Sequence, residues 1–156
     1  MSTQPLRDFL ISFNTAGYAS GNESMWTKES DGSTSINFEK EEFKAHDNFF
    51  GGEPYGGREV VFFNNKPSWM MVYYGYVVQL ADKNEVYKAL RNALMNQPKD
   101  FPVRGPNVIE YNSFVYQNNW SGDLERFSGK ENILKDGIIV YEASYLGGLV
   151  DVNQAL

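Results

Sequence analysis

Hydrophobic and polar positions change period along the chain. Leu6, Phe9, Leu10 and Phe13 recur at i, i+3, i+4 and i+7, the stripe of an amphipathic helix. Thr3 is placed to cap it, Pro5 suits its first turn and Gly17 suits a left-handed exit, so a helix is expected over residues 3–16. Residues 20–35 lose this periodicity. They are rich in Ser, Gly, Asn and Thr around Met25-Trp26, and read as a loop with one short strand and a candidate flap. From Ser35 the pattern is that of strands. Ile36–Phe38 and Phe43 are strand-like, Asp47-Asn48 reads as a turn, and Glu59–Phe63 with Ser68–Val78 reads as a hairpin closed by Asn64-Asn65. The helical period returns over 82–96. There Asp82 and Glu85 have capping-box spacing, Val86, Ala89, Leu90, Ala93 and Leu94 form one stripe, and Pro98 stops the helix. Two prolines hold Phe101–Pro106 extended. Strand signals then resume with Val108–Gln117, a turn at Asn118-Asn119, Leu124–Phe127, and a hairpin of Lys130–Leu134 and Ile138–Tyr145 around Asp136-Gly137.

The two strand-rich stretches repeat one another. Gly57–Val78 aligns without a gap on Gly129–Val150 at an offset of 72 residues, which matches Glu59 with Glu131, Trp69 with Tyr141 and Tyr73 with Tyr145. A slip of one residue extends the match upstream, pairing Phe38-Glu39 with Ile109-Glu110 and Asn48-Phe49 with Asn119-Trp120. Units of about 36–78 and 107–150 with a helix between them are expected to pair around a pseudo-two-fold axis. The expected fold class is α+β: a strongly curved antiparallel β-sheet or barrel built from two repeated β units, with two packed helices, in a single domain over 1–156.

Composition narrows the function classes. The formal net charge is −6 and Lys and Arg form no cluster, which argues against direct nucleic acid binding. There is no cysteine, so disulfides, thiolate nucleophiles and Cys-ligated metals are excluded. Met1–Phe13 lacks the basic and apolar regions of a secretory signal, and no run of about 20 apolar residues is present to span a membrane, so a cytoplasmic location is expected. The aromatic content is high, with 11 Phe, 10 Tyr and 3 Trp, as in strands and concave binding surfaces.

Candidate chemistry is sparse. One histidine and no cysteine leave no zinc cluster and no Cys-His catalysis, and His46 reads as an exposed turn residue. No metal and no cofactor are expected. Glu59 and Glu131 are weak catalytic candidates: a dyad axis would let them face one another as a hydrolytic carboxylate pair, or each accepts backbone N–H groups at a strand start. Trp69, Tyr73, Tyr141 and Tyr145 lie on matching hairpin strands. They form either the core beneath a curved sheet or a stacking floor for a planar or sugar ligand. Trp26 and Trp120, in loop-like segments, are further ligand candidates. Arg104, between two prolines, either presents its guanidinium to an anionic ligand or pairs with Glu131 or Glu125.

The ordered motifs Tyr18-Ala19-Ser20-Gly21, Trp69-x-x-x-Tyr73-Tyr74-Gly75, Arg104-Gly105-Pro106, Gly122-Asp123, Phe127-x-Gly129-x-Glu131 and Tyr145-x-Gly147-Gly148-Leu149 resemble a family of uncharacterised bacterial domains. Such domains stand alone or are fused behind a helix-turn-helix repressor-type domain. The resemblance implies a sensing or association role and supplies no catalytic residues to carry over. The functional expectation is a non-catalytic small-ligand-binding or regulatory interaction domain with an aromatic pocket. The alternative is a hydrolase or isomerase using Glu and Tyr residues in a barrel mouth. A small molecule and a protein remain the two partner classes, and the sequence does not fix the oligomeric state.

Overall fold

In the computed structural model, which describes residues 2–78 and 81–152, the first apolar stripe folds as α1 (Gln4–Ala16) and buries Leu6, Phe9, Leu10 and Phe13. Thr3 takes the cap position without a side-chain bond, and its carbonyl accepts the Arg7 N–H at 2.9 Å. Gly17 is not left-handed. A 3-10 turn over Tyr18–Ser20 intervenes, and the left-handed exit falls at Gly21, φ 69°. The second helix, α2 (Lys83–Met95), starts at Asp82, whose carboxylate accepts the N–H groups of Asn84 and Glu85 at 3.0 and 3.4 Å. Neither helix is long and apolar enough to cross a membrane, which holds for the described residues.

Among the described residues nine strands form one antiparallel sheet. They are β1 (Trp26–Lys28), β2 (Thr34–Lys40), β3 (Phe43–Phe50), β4 (Tyr55–Phe63), β5 (Lys66–Val77), β6 (Val108–Tyr111), β7 (Phe114–Asp123), β8 (Arg126–Lys135) and β9 (Ile138–Leu149). The order across the sheet is β1-β2-β3-β4-β5-β9-β8-β7-β6. The sheet is open, so the expectation of a barrel is corrected. Its two edges, β1 and β6, have only three and four residues and do not pair with one another.

Two expected turns lie inside strands. Asp47-Asn48 is in β3, and the chain reverses earlier, at Glu41-Glu42, with Glu41 at φ 56°. Asn118-Asn119 is in β7, and its reversal falls at Asn112-Ser113, with Asn112 at φ 52°. Side chains decide both cases. Asp47 and Asn118 point inward to Tyr73 and Tyr145, while Asn48 donates to Ser33 and Ser35 at 2.9 and 3.0 Å. His46 follows them into β3 and is half-buried rather than exposed in a turn. The hairpin tips at Asn64-Asn65 and Asp136-Gly137 form as expected, with positive φ at all four residues.

The ladders coincide at the spacing seen in the sequence. A register shift falls between Val61 and Phe62 in the β4–β5 pair and between Ile133 and Leu134 in the β8–β9 pair, 72 positions on. At the β5–β9 seam Tyr73 pairs with Tyr145, Trp69 with Leu149 and Val77 with Tyr141. The inward face of the sheet carries two apolar clusters. One joins α1 to Ile36, Phe43, Val61 and Trp69, and the other joins α2 to Phe114, Tyr116, Ile133 and Tyr141.

Candidate functional site

Strand alternation sends residues i and i+2 to the same face. In β5 that rule turns Trp69, Met71 and Tyr73 inward, and in β3 and β4 it turns Asp47 and Glu59 inward beside them. Asp47 and Glu59 are direct cross-strand partners and are only 8% and 6% exposed. The Tyr73 hydroxyl donates to Asp47 Oδ1 at 2.5 Å. Glu59 Oε1 is buried and has no hydrogen-bond partner among the described residues.

The corresponding place in the other hairpin is filled differently. Glu131 Oε1 accepts Arg104 Nε at 2.7 Å, and Glu131 Oε2 accepts the Tyr116 hydroxyl. Tyr116 in turn accepts the Gly105 N–H at 3.1 Å. Asn118 donates to the Gly105 carbonyl at 2.8 Å and accepts from the Tyr145 hydroxyl at 2.7 Å. Glu131 is therefore fully partnered by a guanidinium and a phenol. Arg104 also lies over the Tyr73 ring at 6.0 Å from its centroid.

A cavity of about 550 Å³ lies between the helices and the sheet. Asp47, Glu59, Met71 and Tyr73 line it from the sheet, and Arg104 lines it from the chain linking α2 to β6. Aromatic side chains supply much of the remaining wall. Tyr18 stacks on Trp26 at 6.0 Å, Trp26 meets Phe49 edge-on at 5.7 Å, and Tyr55 packs on Tyr73 and Tyr87 at 6.0 and 6.1 Å. Trp26 contributes a second buried orphan, since its indole Nε1–H has no partner among the described residues. The volume falls in the usual range for small-molecule sites.

Electrostatics set the carboxyls apart from ordinary surface acids. Burial pushes Glu59 up to about 8, the adjacent Asp47 adds to the rise, and Arg104 opposes it. Burial likewise raises Asp47 to about 6, against the Tyr73 hydrogen bond and Arg104. The Tyr73 phenol is held well above its ordinary value by burial and by Asp47. Burial alone would lower Arg104, but Glu131 together with Tyr55, Tyr141 and Tyr116 outweighs it, and the guanidinium stays charged. Among the described residues there is no group of three or more His, Asp or Glu placed to hold a metal ion.

The structure divides the residues singled out from the sequence. Trp26, Glu59, Tyr73 and Arg104 come together around the cavity. Trp69 does not: it is fully buried, stacks on Phe127 at 5.6 Å and donates its indole N–H to the Leu124 carbonyl at 3.0 Å. Trp120 lies in β7 rather than a loop and stacks on Phe101 at 4.8 Å. With Tyr145 it borders a separate depression, away from the carboxyl pair. Glu59 and Glu131 do not face one another. Three strand spacings, about 14 Å, and a four-residue register offset separate them, too far for a hydrolytic pair. Neither side chain accepts a backbone N–H among the described residues. Arg104 pairs with Glu131, not Glu125.

Asp47, Tyr18, Tyr55 and Tyr116 escaped sequence reasoning. The slipped repeat held a signal for one of them. It sets Asp47 against Asn118, two polar residues at matching inward positions.

Residues 47–150 match the family described as a domain of unknown function (DUF5680). The chain belongs to this family. The DUF5680 match holds Asp47, Glu59, Tyr73, Arg104 and Glu131, while Tyr18 and Trp26 precede it and complete the cavity wall. No curated protein and no solved structure matches the chain.

Proposed function

We propose that this domain binds a small organic molecule in the cavity between α1, α2 and the sheet. One observation carries the reading: Glu59, which lines a cavity of about 550 Å³, has a buried carboxyl oxygen, Oε1, with no partner among the described residues. An unpaired buried acceptor costs about 1–3 kcal/mol, and more when charged, so its presence calls for a group that completes it. The aromatic walls add apolar area and stacking faces. In chains that join such a domain to a repressor-type module, ligand binding here would serve sensing.

The test is a thermal-shift screen against metabolite-sized compounds, repeated on Trp26→Ala. A ligand at 100 times its Kd is expected to stabilise the parent by about 2.7 kcal/mol and to lose that effect in the variant. Hits that keep their full effect in Trp26→Ala, or a screen without hits, overturn the reading.

The carboxyl pair favours a second reading, an enzyme of the hydrolase or isomerase type. A buried carboxyl raised to about 8 beside a second acid suits proton transfer near neutral pH. Under this reading Glu59→Gln abolishes turnover of a bound compound while binding survives.

We also read the two β units as an internal repeat. The support is the shared spacing of their register shifts and the Tyr73–Tyr145 pairing at the seam.

A further inference from the structure

We infer that the cavity's ligand is an organic cation, an amine carrying N–H donors on an apolar or aromatic body, seated against Asp47 and Glu59. This rests on the proposal that the cavity binds a small molecule and names the chemical class.

The charges around the cavity lead there. Asp47 and Glu59 stand side by side, and their one side-chain hydrogen bond among the described residues comes from neutral Tyr73. The nearest buried cation, Arg104, is held by Glu131 at 2.7 Å. Lys88, on the α2 side, is paired with Glu85 at 2.8 Å. Arg91 lines the cavity from α2, and Tyr18, Tyr55 and Tyr87 line it as neutral residues, the hydroxyls of Tyr55 and Tyr87 being bonded to Tyr141 and Glu53. Neither acid is in an ion pair among the described residues, and Arg104 acts on both only from its place on Glu131. A buried carboxylate in that position either takes a proton or finds a counter-ion.

The aromatic faces select the kind of counter-ion. Trp26 with Tyr18 and Phe49, and Tyr55 with Tyr73 and Tyr87, surround the space with ring faces and edges. Such walls attract ammonium groups and receive the hydrocarbon body. A metal ion fits poorly, since two carboxyls without a third His, Asp or Glu are a thin ligand set among the described residues. An ammonium ion satisfies both acids through several N–H groups and leaves the Trp26 N–H free for an acceptor elsewhere on the ligand. Its entry also releases the proton that the two acids hold when the cavity is empty, so affinity rises as pH increases from about 6 to about 8.

The experiment uses three probes of one shape: phenethylamine, phenethyl alcohol and phenylacetate. Each is titrated into the full chain by calorimetry and by NMR, with the Trp26 indole resonance as reporter. Phenethylamine is expected to bind about tenfold or more tighter than either analogue, to tighten between pH 6 and pH 8, and to release protons in buffers of different ionisation heat. Glu59→Gln, checked for an unchanged fold by its NMR spectrum, is expected to remove the preference. The alcohol or the carboxylate binding as tightly as the amine overturns the cation and leaves the cavity proposal standing. No binding by any of the three overturns both.

Discussion

Asp47 on β3 is the direct cross-strand partner of Glu59 on β4, so two buried carboxyls stand on one face with Cβ atoms about 5 Å apart. Adjacent like charges are unfavourable, and burial compounds the effect. Both acids bind a proton more tightly in the folded chain than in the unfolded one. Folding therefore takes up protons, and stability falls as pH rises from the ordinary Glu value of 4.5 to about 8, then levels off. Urea unfolding across this range measures the slope. Glu59→Gln is expected to flatten it and to exceed the parent at pH 8 by on the order of a few kcal/mol. A parent whose stability climbs over the same interval contradicts the assignment.

The Arg104–Glu131 pair behaves in the opposite sense. Arg104→Met leaves Glu131 buried beside Tyr116 without its guanidinium, and a loss of about 3–5 kcal/mol is expected. Adding Glu131→Gln removes the stranded charge and should recover a good part of that loss. Equilibrium unfolding of the two singles and the double gives the coupling energy. A double variant as unstable as the sum of the singles would place the stabilisation elsewhere.

Trp69 and Trp26 separate stability from binding. Trp69 is fully buried on Phe127 with its N–H on Leu124, so Trp69→Ala is expected to cost about 3–5 kcal/mol. Trp26 is only half-buried in a three-residue edge strand, so Trp26→Ala is expected to cost less and, under the proposed binding role, to show its main effect in ligand affinity. Melting temperatures and titrations of both variants check the contrast, which fails if Trp69→Ala weakens binding more than Trp26→Ala.

Gly129 marks a point of close packing. A Cβ there would sit 2.2 Å from the Tyr145 ring, whose hydroxyl is tied to Asn118. Gly129→Ala is expected to cost about 1–3 kcal/mol or more through overpacking. Gly52→Ala, where nothing lies within 4 Å, stays within about 0.5 kcal/mol of the parent. Equal effects at the two sites would show that Tyr145 moves aside freely.

The elements that sequence reasoning reached were those written in local pattern. α1 and α2 announced themselves by apolar stripes, and the hairpin tips at 64–65 and 136–137 by residues that tolerate positive φ. Asp47-Asn48 and Asn118-Asn119 carry the composition of turns, and only tertiary partners such as Tyr73, Tyr145 and Ser33 hold them in strands. The cavity was half legible. Trp26, Tyr73, Arg104 and Glu59 were singled out, but Trp69 and Trp120 could not be told from pocket residues, because burial of an aromatic ring depends on what packs across from it. The openness of the sheet was hidden too. It follows from which strands lie at the edges, and β1 and β6 are too short to show a strong period.

Arg104 belongs to neither hairpin. It rides on the connector between α2 and β6, yet it reaches Glu131 and leaves the like-placed Glu59 without an ion pair among the described residues. A single guanidinium thus sorts two similar acids, one held in an ion pair and the other left unpaired beside the cavity. Re-aiming that connector would exchange their tasks without altering a strand, so the connector, rather than the sheet, is where the chemistry of this domain can be retuned.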